Sequence, residues 1–301
     1  MSHDHNHSTE LSSKRLLATM LLNFFITVIE IIGGMLSGSL SLMSDAFHNF
    51  SDGIALIITY IADRLSKKPN SLKYTFGLKR AEIIAAVINS SVLVIICFFL
   101  IKEAFDRLYN PSVIRGHLML IVAAGGLVAN IIGTLLLRKG SDKNINLRAA
   151  YLHLLGDSIS CFAVIIGAVF IIFMKIYWVD SFLTIIISVY ILVESYRILK
   201  ESIDIVMMSV PPDLNLEDVA KFIESLPEIK NVHHVHLWRL NDNDIHFEAH
   251  INIKEMSISE TASIRNLLEK ELHNKFGLTH FTFQFECDSC NDTELIKNSG
   301  H

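Results

Sequence analysis

The stretch SDAFHNFSDG, residues 44–53, sets Asp45, His48 and Asp52 between two long apolar runs. An ionised side chain near the centre of a bilayer costs about 2.5–3.5 kcal/mol on insertion scales, so residues placed there need a compensating partner. Working outward, six apolar segments run over 16–37, 40–62, 82–106, 117–138, 149–174 and 178–206. Each is close to the roughly 20 residues that cross a hydrocarbon core of about 30 Å. A mean hydropathy of +0.41 belongs with that pattern. Beyond residue 210 the sequence turns amphipathic, which predicts an α-helical membrane part followed by a soluble domain.

Lysine and arginine alternate sides between the segments. Lys14 and Arg15 precede the first, six basic residues from Arg64 to Arg80 fill the second connection, and Arg138, Lys139, Lys143 and Arg148 fill the fourth. The first connection has none and the fifth has only Lys175, whereas Arg107 and Arg115 make the third an exception. The positive-inside rule then places both termini in the cytoplasm. The N-terminus lacks the basic, apolar and small-residue order of a cleaved signal peptide. A net charge of −5 suggests no nucleic-acid partner. Cys97 and Cys161 lie in apolar runs and Cys287 and Cys290 form a single CxxC, which is no disulfide framework.

In the soluble part, Val219, Phe222, Ile223 and Leu226 recur at helical period behind Asn215, a fitting N-cap. Residues 232–240 and 244–253 read as strands. Ser257 and Glu260 form a capping box opening a helix with Ile264, Leu267, Leu268 and Leu272 on one face, and 280–286 alternates as a third strand. The order αββαβ predicts a small α+β, ferredoxin-like domain, a fold that by itself says nothing of function.

His48 and Asp52 are four residues apart, so a helix presents them on one face. The same spacing recurs at His153 and Asp157 in the fifth segment. Two imidazole nitrogens and two carboxylate oxygens, brought together by packed helices, make a tetrahedral shell suited to Zn²⁺, with Co²⁺ or Cd²⁺ as mimics. The competing reading is that each pair only hydrogen-bonds within the bundle; its repetition in two apolar segments favours the metal. Asp45, three residues before His48, is read as supporting the site or the helix end rather than as a ligand. Asn23, Glu30 and Glu194 read as lining a wet vestibule or pairing with basic groups.

SGSLSLMSDAFHNFSDG, YTFGLKRAE opening the third segment and LHLLGDSISC in the fifth together resemble the cation diffusion facilitator family of divalent-metal/proton antiporters. The resemblance spans nearly the whole chain. It implies six spans, homodimerisation through the appended domain, and export of Zn²⁺, or Cd²⁺ and Co²⁺, from the cytoplasm in exchange for protons. It also implies a transport site of His48, Asp52, His153 and Asp157, with zinc as a regulatory ligand in the soluble domain. There His236 and His250 match ligand positions, Gln284 stands where a third histidine would be, and Glu286 replaces a nearby carboxylate. Cys287 and Cys290 are candidates to complete that site. Tyr74 and Leu78 stand where some relatives carry a further histidine site between spans two and three. Arg80 matches a basic residue that in some relatives pairs at the end of the sixth span, where Asp204 is the candidate, as a dimer or gating pair; the alternative is two ordinary helix-end charges. The tail histidines His3, His5 and His7 resemble the loose zinc-collecting tails of the family.

The expected organisation is a His-rich tail over 1–14, a six-helix transport domain over 15–209, a ferredoxin-like domain over 210–287 and a C-terminal tail over 288–301. Short connections suit a multi-pass protein in the lipid of a bacterial plasma membrane. No organic cofactor is implied. No phosphate-binding loop of the GxxxxGK[ST] kind and no HExxH occurs, which disfavours an ATP-driven pump and a metalloenzyme. A preference for Fe²⁺ or Mn²⁺, uptake in place of export, and a membrane-tethered metal sensor remain as alternatives. A sensor, however, needs no site at membrane depth.

Overall fold

The computed structural model describes residues 4–66, 69–141, 145–241, 244–287 and 294–296, with side chains described from Thr19 onward apart from positions near the ends of α2, α4 and α5. Six long helices come first: α1 (Asp4–Ser37), α2 (Leu40–Ser66), α3 (Ala81–Tyr109), α4 (Gly116–Ser141), α5 (Ile145–Met174) and α6 (Trp178–Val206). Then follow α7 (Leu216–Glu224), β1 (Ile229–Arg239), β2 (Ile245–Ile253), α8 (Ile258–Phe276) and β3 (His280–Glu286). The chain divides into two compact units, residues 1–60 with 88–199 and residues 61–87 with 200–301.

Among the described residues, five helices are long and apolar enough to cross a membrane: α1 from Thr19, α3, α4, α5 from Ala150 and α6. The protein is a multi-pass integral membrane protein. At 27 residues α2 has the length of a sixth span. It falls short in hydropathy because its first half carries Ser41, Ser44, Asp45, His48, Asn49, Ser51 and Asp52. The helix whose sequence raised the question of cost is thus the one of the six without a strongly apolar stretch of spanning length.

In the first unit α4 packs on α5 and on α1. The turn from α1 to α2 passes through Gly38, at φ 77°, where a side chain would be strained. The start of α2 is held by Asp180 from the first turn of α6. That carboxylate, fully buried, accepts from Ser39 Oγ at 2.6 Å, the Leu40 amide at 2.8 Å, the Ser41 amide at 3.3 Å and Ser41 Oγ. A carboxylate at a helix N-terminus satisfies the orphan amides and complements the dipole. Arg107 donates from Nη1 to Gly38 O at 2.7 Å and pairs with Glu103 at 3.0 Å. Arg107, one of the two arginines that break the positive-inside pattern, therefore closes α1 and carries its own counter-charge.

In the second unit the sheet order is β1–β2–β3, with β2 antiparallel to β1 and parallel to β3. A parallel pair needs a crossover, and α8 supplies it. One face of the sheet, with Val235, Leu237, Phe247, Ala249 and Ile251, packs against Val219 and Ile223 of α7 and Ile264, Leu268 and Leu272 of α8. Asn215 caps α7, and Ser257 with Glu260 forms the capping box of α8. Leu267, expected on the buried face, is instead exposed on the flank of α8.

Candidate metal centres

The two His–Asp pairs converge. Asp52 Oδ2 lies 3.6 Å from His48 Nε2 and 3.3 Å from His153 Nε2, and His153 Nε2 lies 3.6 Å from Asp157 Oδ2. The donor atoms of His48, His153 and Asp157 all fall within 4.8 Å of one another, and Asp52 joins them through the two histidines. Donors at about 2.0–2.1 Å from a tetrahedral zinc stand roughly 3.4 Å apart, so these separations are edge lengths of such a shell. Asp52 Oδ2 and Asp157 Oδ2 are buried without a hydrogen-bond partner among the described residues. Buried carboxylate oxygens left in that way are costly, and a cation would satisfy both at once. Exposure within the cluster is uneven: the side chains of His153 and Asp52 are 40% and 31% exposed, those of His48 and Asp157 16% and 5%.

Asp45 does not reach these ligands. It is buried one turn away and accepts a hydrogen bond from the Cys161 thiol at 3.5 Å. Glu30 is also buried, against Asn49 and Cys161, and neither lines a vestibule nor pairs with a basic group among the described residues. Glu194 is exposed on α6.

In the soluble part a second group forms from His233, His250 and Glu286, again with donor atoms within 4.8 Å of one another. Glu286 Oε1 lies 2.8 Å from His250 Nδ1, and Glu286 Oε2 lies 3.4 Å from His233 Nε2. Asn231 Oδ1, 3.0 Å from His233 Nδ1, orients that ring, and Gln284 donates to Glu286 Oε1 at 2.9 Å. His233 Nε2 and Glu286 Oε2 are buried and otherwise unpartnered. Two imidazoles and a carboxylate fit zinc, and the Gln284 amide orients that carboxylate.

His236 is displaced from this group. Between His233 and His236, β1 carries one more residue than β2, a β-bulge, with His234 at φ 49°. The bulge breaks the alternation, so His236 pairs opposite Glu248 and borders a groove with Met208, Leu216 and Trp238. His233, which the sequence reading did not select, stands in its place beside His250 and Glu286. The spacing of Val232, Val235 and Leu237, three and then two, is the signal for it. Cys287 is exposed and outside the group. Cys290, His3 and the side chains of His5 and His7 lie outside the described residues. Arg80 and Asp204 form no ion pair with each other among the described residues. Arg80 Nε is buried without a hydrogen-bond partner, and its charge bears on His246.

His246 stacks on Trp238 with ring centroids 5.3 Å apart and tilts against His280 at 4.4 Å. Burial and then His280 hold its imidazole below the ordinary value of 6.5, with Asp244 pulling the other way and Lys79 and Arg80 adding to the lowering. The folded domain therefore binds fewer protons here than the unfolded chain once pH drops below about 6.5. Stability is highest above that value and declines as pH falls toward the lowered folded value. In the full chain with Trp178→Phe, Trp238 fluorescence should quench on acidification with a midpoint below 6.5, and His246→Gln should remove the transition. A midpoint above the ordinary value contradicts the packing described.

Residues 16–207 match the family description "Cation efflux transmembrane domain", and residues 211–287 match "Cation efflux protein, cytoplasmic domain". The chain belongs to the cation efflux family. This family is that of the cation diffusion facilitators, and its members are transporters, not enzymes. A cation efflux protein of Bacillus subtilis named "Cadmium, cobalt and zinc/H(+)-K(+) antiporter" is 36% identical over 97% of this chain and 94% of its own length. "Zinc transporter ZitB" of Pectobacterium atrosepticum is 35% identical over 97% and 91%. "Metal cation efflux system protein CzcD" of Cupriavidus metallidurans is 34% identical over 99% and 93%.

Proposed function

We propose that this cation efflux protein exports Zn²⁺, and also Cd²⁺ and Co²⁺, from the cytoplasm in exchange for protons, by alternating access around His48, Asp52, His153 and Asp157. The observation that carries the reading is the convergence of the two His–Asp pairs, with unpartnered carboxylate oxygens at ligand-edge distances. The names of relatives that match over nearly their full length, with zinc, cadmium, cobalt and proton exchange in them, support the choice of ions.

The arrangement performs exchange because metal and proton compete for the same imidazole lone pairs. Histidine titrates near neutrality, so a modest change in its surroundings switches it between ligand and imidazolium. On the cytoplasmic side the cation displaces protons from His48 and His153. Asp52, between the two rings, binds whichever positive charge is present. Rocking of the helices then opens the site outward, where protonation releases the metal. The organisation into a tail over 1–14, a transport domain over 15–209, a cytoplasmic domain over 210–287 and a tail over 288–301 belongs to this reading. So do a bacterial inner membrane, cytoplasmic termini and a homodimer joined through the cytoplasmic domain. His233, His250 and Glu286 would hold a regulatory zinc that ties domain geometry to cytoplasmic metal.

Inverted membrane vesicles carrying the protein should accumulate zinc when their lumen is acidic. Collapse of the pH gradient should abolish the uptake. Accumulation that is indifferent to the gradient, or unchanged by Asp157→Ala, contradicts the proposal.

A further inference from the structure

Beside the His–Asp cluster, three helices bring a different set of donors together. Glu30 of α1, Asp45 of α2 and Cys161 of α5 have ligand atoms all within 4.8 Å of one another, and all three residues are buried. Along α2, Asp45 lies one turn before His48 and Asn49. Along α5, Cys161 lies one turn after Asp157. The group therefore neighbours the proposed transport site on the side of the α1–α2 turn.

Three observations point to a ligand. First, no Lys, Arg or His forms an ion pair with Glu30 or Asp45 among the described residues, although both carboxylates are buried at membrane depth. Burying two carboxylates together without a counter-charge is strongly unfavourable. Second, Asn49, 2% exposed, points its amide into the group. Its Nδ2 donates to Glu30 Oε2 at 3.4 Å, while its Oδ1 is buried with no partner. Third, α4 passes the group at Gly126, where a Cβ would collide with Glu30 Oε1 and lie 3.3 Å from Cys161 Sγ. Only glycine leaves room there for the carboxylate.

We propose that Glu30, Asp45 and Cys161, with the Asn49 amide turned over to present Oδ1, form a second, fully buried site for a thiophilic divalent cation such as Zn²⁺ or Cd²⁺. One sulfur and three oxygens form a four-donor set that favours these ions over Mg²⁺ or Ca²⁺, which take six or more hard oxygen ligands. The thiol surrenders its proton when the metal binds, so occupancy here is also exchanged against protons. Its role as a second station for the transported ion rests on the function proposed above, whereas binding itself does not.

The test uses Cd²⁺ alone on the full chain with Cys97, Cys287 and Cys290 changed to Ser, and with His48→Ala and Asp52→Ala disabling the transport site. The expected result is an ultraviolet cadmium–thiolate charge-transfer band whose limiting amplitude corresponds to one thiolate per chain. Glu30→Gln should weaken that binding at least tenfold, and Cys161→Ser should abolish the band. No band at cadmium concentrations that saturate the natural chain overturns the proposal. If the multiple variant does not fold, the difference between the natural chain and Cys161→Ser alone gives the same readout. Loss of one thiolate per chain supports the site, and no loss overturns it. Because the transport ligands are removed, a positive result stands even if His48 and Asp52 carry no ion. Loss of flux on removing those ligands likewise stands even if Cys161 binds nothing.

Discussion

Asp52→Ala is expected to reduce zinc flux more than about 100-fold, since loss of a residue that merely supports a metal ligand already costs about 10–100-fold. Its effect should be among the largest in the protein because of where Oδ2 stands, 3.6 Å from one histidine and 3.3 Å from the other. Removing it takes away a donor and also the charge that favours a cation between two rings. Asp52→Asn keeps a neutral oxygen in place and should retain measurable transport. His236→Ala, outside all three donor groups, should transport as the natural chain does. Flux into inverted vesicles at matched protein level reads all three. Undiminished flux in Asp52→Ala would remove this residue from the site.

The second large effect concerns stability. Asp180→Ala should lower the apparent melting temperature in detergent by roughly 10 °C, from a loss of about 3–5 kcal/mol. The donors of Ser39, Leu40 and Ser41 that converge on this carboxylate are buried, and each one left unsatisfied costs about 1–3 kcal/mol. The same substitution strips α2 of its N-terminal cap, and α2 carries half of the His–Asp cluster. Asp180→Asn, with one acceptor oxygen remaining, should fall between. A melting temperature within about 2 °C of the natural chain in Asp180→Ala would show that the capping network contributes little.

How far the sequence could be read follows from the kind of signal each feature leaves. Apolar length is a strong signal, and it located five spans outright. The segment over 40–62 was read as apolar with the others, yet the polar residues in the first half of α2 leave it short of their hydropathy. Period-four spacing paired His48 with Asp52 and His153 with Asp157, because a helix turns the same way wherever it lies. Helix caps were equally legible, since Asn215 and the Ser257–Glu260 box act within one turn. Contacts across helices were not. Nothing local ties Asp180 to Ser39, or Glu30 to Asp45 and Cys161, because those meetings depend on how α1, α2, α4, α5 and α6 pack. In the soluble domain the family resemblance selected His236, and a single extra residue in β1 sets His233 in its place beside His250 and Glu286. The valine spacing recorded that bulge, but an isolated strand pattern does not say which side of the bulge faces Glu286.

Exchange by this route requires residues from α2 and α5 to grip the cation together. Zinc-edge anomalous diffraction from crystals of the full chain grown with zinc tests it most directly. The account predicts a peak bounded by His48, Asp52, His153 and Asp157, at bonding distance from donors on both helices. Zinc density confined to the cytoplasmic domain, with that cluster bare at saturating zinc, would contradict it.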